Sequence, residues 1–229
     1  GKDISLAGLR KKFGAVVLSC GCRLPRDLPA EGRQLKGIHF ALDFLIEANK
    51  AVSSRKKISA VNAVGKRVAV IGGGDTGADC VGVCHRQGAS CVMQIELFPQ
   101  PPACRQDNCP WPKYPMLLKT STSHQEGGER VWSVMTRKFL DNGKGEVKGL
   151  SCVKVEVKKG PDGKPRIEEM PGTAFEIETD LVVLALGFAR PEQGGKLKAA
   201  GVELDACGNV KADNTQMTSL KGVFAAGDM

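Results

Sequence analysis

The sequence predicts an α/β fold, and three observations carry that reading. Lys66–Ile71 reads as a strand that enters a glycine turn, Gly72–Gly77, and continues as a helix, Thr76–Gln87; a second strand, Val92–Leu97, completes a βαβ unit within about 30 residues. Downstream, Trp132–Leu140, Glu146–Lys159 and Arg166–Thr179 read as three strands joined by the polar turns Asp141–Gly145 and Gly160–Pro165, which makes an antiparallel meander. Finally, Asp180–Leu186 is a continuous apolar run of the kind that lies buried in a parallel sheet.

The remaining segments fall into order around these. Gly8–Phe13 has helical patterning, and Ala15–Ser19 reads as a buried parallel strand that ends at Cys20-Gly21-Cys22. Arg23–Gly32 is loop. His39–Lys57 carries Phe40, Leu42, Phe44, Leu45, Ile46 and Ala48 at helical spacing, a helix suited to bridging two domains. Between Phe98 and Lys119 six prolines rule out regular helix and leave a long stiff loop. The chain closes on a last apolar run, Gly222–Ala226.

Composition narrows the function classes. The chain has 229 residues, 41% hydrophobic and 25% charged, which is globular rather than disordered or fibrous. No apolar run reaches the ~20 residues of a membrane helix, and the N-terminal Gly-Lys-Asp-Ile-Ser lacks the pattern of a signal peptide, so no membrane partner is expected. The net charge of +8 is scattered in pairs such as Lys11–Lys12 and Lys158–Lys159, the pattern of a solvated face, and nucleic acid is not an expected partner either. Nine cysteines, an odd number, suit reduced thiols in the cytoplasm. Cys20/Cys22, Cys80/Cys84 and Cys104/Cys109 all lack the paired C-x-x-C spacing of zinc or cluster sites, so no metal site is expected. The three histidines are isolated in sequence, and Trp111, Trp132 and Tyr114 are read as packing residues.

The chemistry concentrates in Gly72-Gly73-Gly74-Asp75-Thr76-Gly77, a G-x-G-x-x-G run. Gly72 permits the tight turn, Gly74 lets the backbone approach a pyrophosphate, and Gly77 lets helix and strand pack closely. The helix N-terminus then offers unpaired N–H groups and a partial positive charge to phosphate. Such a turn is weak evidence alone, but here a strand precedes it and a helix follows. Glu96, at the end of the second strand, stands where an acid accepts the ribose hydroxyls. The expected fold is therefore a Rossmann-type domain binding a nicotinamide dinucleotide, and Glu96 favours NADH over NADPH. Leu97–Pro102 holds no Arg or Lys to receive a 2′-phosphate, and Arg105 is the first candidate. No catalytic acid or base is singled out, as suits hydride transfer, in which cofactors carry the chemistry.

These residues resemble a known family, the small-subunit reductase portion of glutamate synthase among the two-dinucleotide-binding-domain flavoproteins. The resemblance rests on Cys22–Pro29, Gly37–Leu45, Val70–Gly77, Asp79–Gly82, Leu97–Pro102, Pro110-Trp111-Pro112 and Gly222–Asp228, in the family's order along essentially the whole chain. It implies a flavin domain interrupted by an inserted nicotinamide-nucleotide domain, with crossings at Ser19–Gly21 and Ala185–Gly187. Gly227 and Asp228 then match the family's second flavin motif, with Asp228 on the ribityl chain of FAD, and Gly187, at the second crossing, is also expected to be cofactor-binding.

The implied domains are 1–58 (first part of the flavin domain and connecting helix), 59–187 (NAD(P)H-binding) and 188–229 (return into the flavin domain). Some members carry an arginine pair after the second strand and use NADPH; this sequence departs from them. The family's first flavin glycine motif and iron–sulfur cysteines have no counterpart here, so the chain resembles a fragment, with iron–sulfur clusters only in the absent N-terminal region. The implied partner is the glutamate synthase large subunit or a fused large domain, and hydride passes from NADH or NADPH to FAD. Two alternatives remain: a flavoprotein reductase with another acceptor, and a non-catalytic dinucleotide-binding or docking module.

Overall fold

The computed structural model describes residues 3–55, 60–160, 165–191 and 196–229. The turn expected at Gly160–Pro165, the end of the helix expected to reach Lys57, the boundary expected at 58/59 and the first two residues of the N-terminal stretch fall partly or wholly outside them.

In chain order the elements begin with α1 (Leu6–Lys12), β1 (Val16–Leu18), β2 (Leu24–Pro25), β3 (Ile38–Phe40), α2 (Ala41–Ser53), β4 (Arg67–Ile71), α3 (Asp75–Arg86) and β5 (Cys91–Ile95). Then come α4 (Thr122–Gln125), β6 (Glu129–Val131), β7 (Val134–Asp141), β8 (Val147–Lys159), β9 (Pro165–Glu169), β10 (Phe175–Glu178) and β11 (Leu181–Leu184). The chain finishes with β12 (Phe188–Arg190), α5 (Lys196–Ala199) and β13 (Val223–Ala225). Two compact units result, Asp27–Leu186 and Gly1–Arg26 with Gly187–Met229.

The larger unit is built on a five-stranded parallel sheet in the order β3-β11-β4-β5-β6. Val, Ile and Leu along β4 and β11 are buried on both faces, as central parallel strands must be. On one face Val68, Val70, Leu181 and Val183 pack with Ala41 and Phe44 of α2 and Cys80, Val81 and Cys84 of α3. On the other, Ala69, Ile71, Val182 and Leu184 pack with Phe139, Leu150 and Cys152 of the antiparallel sheet. Phe44 is fully buried, and removing its ring costs about 3–5 kcal/mol.

Three expectations are corrected in this unit. Helix α2 does not bridge domains: Ala41, Phe44, Ala48 and Ala51 form its buried face, and β3, just ahead of it, is an edge strand of the parallel sheet, so residues 27–55 belong with the glycine turn rather than with the flanking segments. The strand expected over Trp132–Leu140 is divided, because Ser133 at φ +57° turns the chain from β6 in the parallel sheet to β7 in the antiparallel one. The meander has four strands, since Arg166–Thr179 breaks at Pro171-Gly172 into β9 and β10, which both pair with the 13-residue β8.

The smaller unit gathers both flanks. Strand β1 pairs in parallel with β13, β2 pairs antiparallel with β12, and Val202, Val210 and Ala225 form its core with Leu6, Leu18 and Leu220 around them. Val17 is 61% exposed, so β1 is a half-open strand and not the buried one its composition suggested.

Candidate functional site

The glycine run leaves the C-terminal end of β4, which lies between β5 and β11, and enters α3. Its three motif glycines answer to different constraints. Gly72 has φ +123°, and a Cβ there would fall on the Ala185 carbonyl, 2.7 Å from its carbon. At Gly77 a Cβ would meet the Gly72 carbonyl and sit 2.7 Å from Gln94 Nε2. Both glycines are thus required by the chain's own packing. Gly74 is not: its φ of −78° suits any residue, and among the described residues a Cβ there has nothing within 4 Å. It is the exposed N-cap of α3, and no side chain caps that helix. Asp75 and Thr76 open the first turn, with N–H groups at the positive end of the helix dipole.

Glu96 folds back over the turn. Its Oε2 accepts from Gly73 N–H at 2.7 Å and its Oε1 accepts from Phe98 N–H at 3.0 Å, which fixes the carboxylate beside the loop with lone pairs to spare. A Cβ on Gly73 would lie 2.5 Å from Glu96 Oε2, so the close approach of this acid explains glycine at that position.

Beneath the loop runs a chain of polar contacts that sequence spacing does not show. Gln94, 2% exposed, donates from Nε2 to the Gly72 carbonyl at 2.9 Å, and its Oε1 lies 2.8 Å from His124 Nε2. Since the Gln94 oxygen can only accept, His124 carries its proton on Nε2; its Nδ1 then accepts from Ser121 N–H at 3.2 Å, as part of the α4 capping box. Burial, with Arg130 nearby, holds the His124 pKa below its ordinary value, as the neutral tautomer requires. His124, isolated in sequence, thus gains a structural partner 30 positions away. The available signal was a glutamine in the apolar run Val92-Met93-Gln94-Ile95, a position that demands a partner.

Arg105, the first cation after the second strand, is spent inside its own loop: Nη1 donates to the Cys109 and Lys113 carbonyls at 2.7 and 2.9 Å. Arg130 lies instead with its guanidinium 5.1 Å from the Trp132 ring centroid. Trp111 and Tyr114, expected to pack, are 82% and 76% exposed.

The residues of the flanks that the sequence offers for a site lie in the smaller unit. Asp228 is exposed and its carbonyl accepts from Cys22 Sγ at 3.1 Å, while Cys20 N–H meets Met229 Sδ at 3.3 Å, so the Cys20–Cys22 turn and the Gly227-Asp228 turn are neighbours. Gly227 and Gly187 have φ of +79° and +77°, and a Cβ on either would meet nothing within 4 Å. Gly187 accepts from Arg26 N–H and so joins the β2/β12 pair. Among the described residues no group of three or more His, Cys, Asp or Glu is placed to hold a metal, and no helix is long and apolar enough to cross a membrane.

The pyridine nucleotide-disulphide oxidoreductase family matches residues 5–229. The chain belongs to that family. Among curated relatives, the glutamate synthase [NADPH] small chain of Mycobacterium tuberculosis is 44% identical over the whole of this chain and 47% of its own length, and that of Bacillus subtilis is 37% identical over 100% and 48%. Glutamate synthase [NADH] of Schizosaccharomyces pombe is 40% identical over 99% of the chain and 11% of its own length. The resemblance read from the motifs therefore holds, and the chain spans about half the length of the bacterial relatives. Solved structures share the fold at low identity. FprA of M. tuberculosis in complex with NADPH matches with a TM-score of 0.65 at 13% identity, over 98% of this chain and 60% of its own. The T. acidophilum thioredoxin reductase gives 0.56 at 22%, over 93% and 57%. This oxidoreductase family accounts for the α/β architecture with mixed parallel and antiparallel sheets.

Proposed function

We propose that the chain is the NAD(P)H-binding reductase module of a glutamate synthase-like flavoprotein. In this reading residues 27–186 hold the nicotinamide dinucleotide, and residues 1–26 with 187–229 contribute Gly187, Gly227 and Asp228 to an FAD site completed elsewhere in a longer cytoplasmic protein. The observation that carries it is Gly74, a glycine that no neighbour among the described residues requires, set at the N-terminus of α3 without a side-chain cap. A bare backbone in open space beside a positive helix end suits the close approach of a pyrophosphate.

The residues present fit that group. Gly74, Asp75 and Thr76 offer backbone N–H groups to the phosphates, and Glu96, pinned by Gly73 and Phe98, turns its free lone pairs to the ribose. Gln94 and His124 hold the Gly72 carbonyl in place, so the loop need not reorganise on binding. Hydride transfer from reduced nicotinamide to flavin is chemistry that the bound cofactors supply. Iron–sulfur clusters in the parent protein and the glutamate synthase large subunit, or a fused large domain, are the proposed onward route for electrons; the relatives' names support that assignment. Equilibrium titration with NADH and NADPH tests the site: one nucleotide bound per chain is expected, and no binding of either at millimolar concentration removes the reading.

A further inference from the structure

We propose that Arg130, its guanidinium over the Trp132 ring on the strand next to Glu96, is the receptor for the 2′-phosphate of NADPH and sets this chain's choice between the two nicotinamide dinucleotides. The proposal rests on the nucleotide site described above and deepens it.

Strand register places the residue. Parallel pairing of β5 with β6 sets Gln94 opposite Arg130 and Ile95 opposite Val131, and Glu96 N–H continues the ladder to the Val131 carbonyl. Side chains alternate along a strand, so Gln94 and Glu96 share a face with Arg130 and Trp132 one strand away, about 4.8 Å across the sheet. That is the face of the glycine loop, because Gln94 reaches Gly72 and Glu96 reaches Gly73 from it. A ribose bound by Glu96 thus has β6 as its next neighbour. Stacking on Trp132, two residues further along, directs the guanidinium toward the C-terminal ends of the strands, where the loop lies.

The charge on Arg130 is uncommitted. Among the described residues no Asp or Glu forms an ion pair with it, and its side chain donates one long hydrogen bond, from Nη1 to Thr120 Oγ1 at 3.5 Å, the edge of the useful range. Partial burial lowers its pKa from the ordinary value, the mark of a cation short of counter-charge. A planar fork of five donors with one weak acceptor suits phosphate oxygens better than hydroxyls. Arg105, which the sequence offers for this role, has its Nη1 tied to two backbone carbonyls.

The test titrates NADPH and NADH into the wild type, Arg130→Ala, Arg130→Gln and Arg130→Lys. Arg130→Ala or Arg130→Gln is expected to weaken NADPH by about 10- to 150-fold, the worth of one charge-assisted hydrogen bond, and to leave NADH within about 2-fold. Arg130→Lys recovers part of the NADPH affinity, since it keeps the charge and loses the fork. Retained NADH affinity shows that each variant is folded at the site. An equal loss for both nucleotides, or no loss for either, overturns the proposal. A wild type that binds NADH and not NADPH overturns it too while the nucleotide site stands; binding of neither overturns both.

Discussion

Gly72 and Gly74 are two residues apart in one loop, and the structure assigns them opposite costs. A Gly74→Val side chain enters open space at a φ of −78° it adopts without strain. Only the poor capping ability of valine counts against it, about 1 kcal/mol. For Gly72→Ala, φ +123° is a region that only glycine occupies comfortably, worth about 1–3 kcal/mol of strain, and the new methyl also displaces the Ala185 carbonyl. Together these make about 3 kcal/mol or more. At roughly 2–4 °C per kcal/mol for a chain of this size, Tm falls by about 2–4 °C for Gly74→Val and by about 6–12 °C for Gly72→Ala. Nucleotide affinity runs the other way: Gly74→Val loses at least about 10-fold, since the branched side chain fills the phosphate approach. Thermal melts followed by calorimetric titration with NADPH decide it. A Gly74→Val protein that binds as the wild type does, or melts as early as Gly72→Ala, refutes the division of labour between the two glycines.

Three further outcomes are expected. Gln94→Leu leaves the Gly72 carbonyl and the His124 Nε2 proton without their partner at a half-buried place and lowers stability by about 1–3 kcal/mol in urea unfolding; an effect under about 0.5 kcal/mol would show that the relay is idle. The carboxyl of Asp180 is held below its ordinary range by hydrogen bonds from the Arg67 side chain and backbone N–H, so its stabilisation is full above the unfolded value of 3.8 and is lost as pH falls through the folded value. Asp180→Asn therefore costs about 1 kcal/mol or less near pH 7, the pair being 40% exposed, and the gap to wild type closes below pH 4; a pH-independent gap would contradict this. Native-state alkylation with iodoacetamide spares Cys80, Cys84 and Cys152, whose thiols burial pushes up, Cys84 to about 12 and Cys152 to about 11; peptide mapping that finds any of the three labelled before unfolding would be inconsistent with that burial.

The glycine loop and Glu96 were legible because the signals are local: strand, turn, helix and strand follow one another, and each motif glycine has a fixed offset. Gln94, His124 and Arg130 were not. Gln94 and His124 stand 30 positions apart and meet because the three-residue β6 and the single-turn α4 bring the chain back beside β5, elements too short to show a period. Ser133 ended β6 with a positive φ in a sequence that otherwise reads as one strand. Helix α2 was legible as a helix but not by destination, because an apolar stripe says that a face is buried and not what covers it. Trp111 and Tyr114 read as core residues by type, yet they sit on a proline-rich loop that no apolar layer encloses.

The pairing of β1 with β13 has a consequence for how the chain is made. Val16–Leu18 must wait for Val223–Ala225, so the smaller unit cannot close until residue 225 has left the ribosome. Joining ends some 200 residues apart in a floppy chain carries a length-dependent entropy of about 5 kcal/mol. The two crossings, however, are hydrogen-bonded to each other, Arg26 N–H to the Gly187 carbonyl at 2.9 Å, so residues 27–186 leave and re-enter the smaller unit at adjacent points. Once that insert has folded, it spans the gap as a short clasp would and most of the closure cost is gone. The order of assembly is thereby imposed: insert first, host second. The same adjacency makes 27–186 excisable as an independently folding piece, with a few residues of linker from Arg26 to Gly187 enough to mend the host.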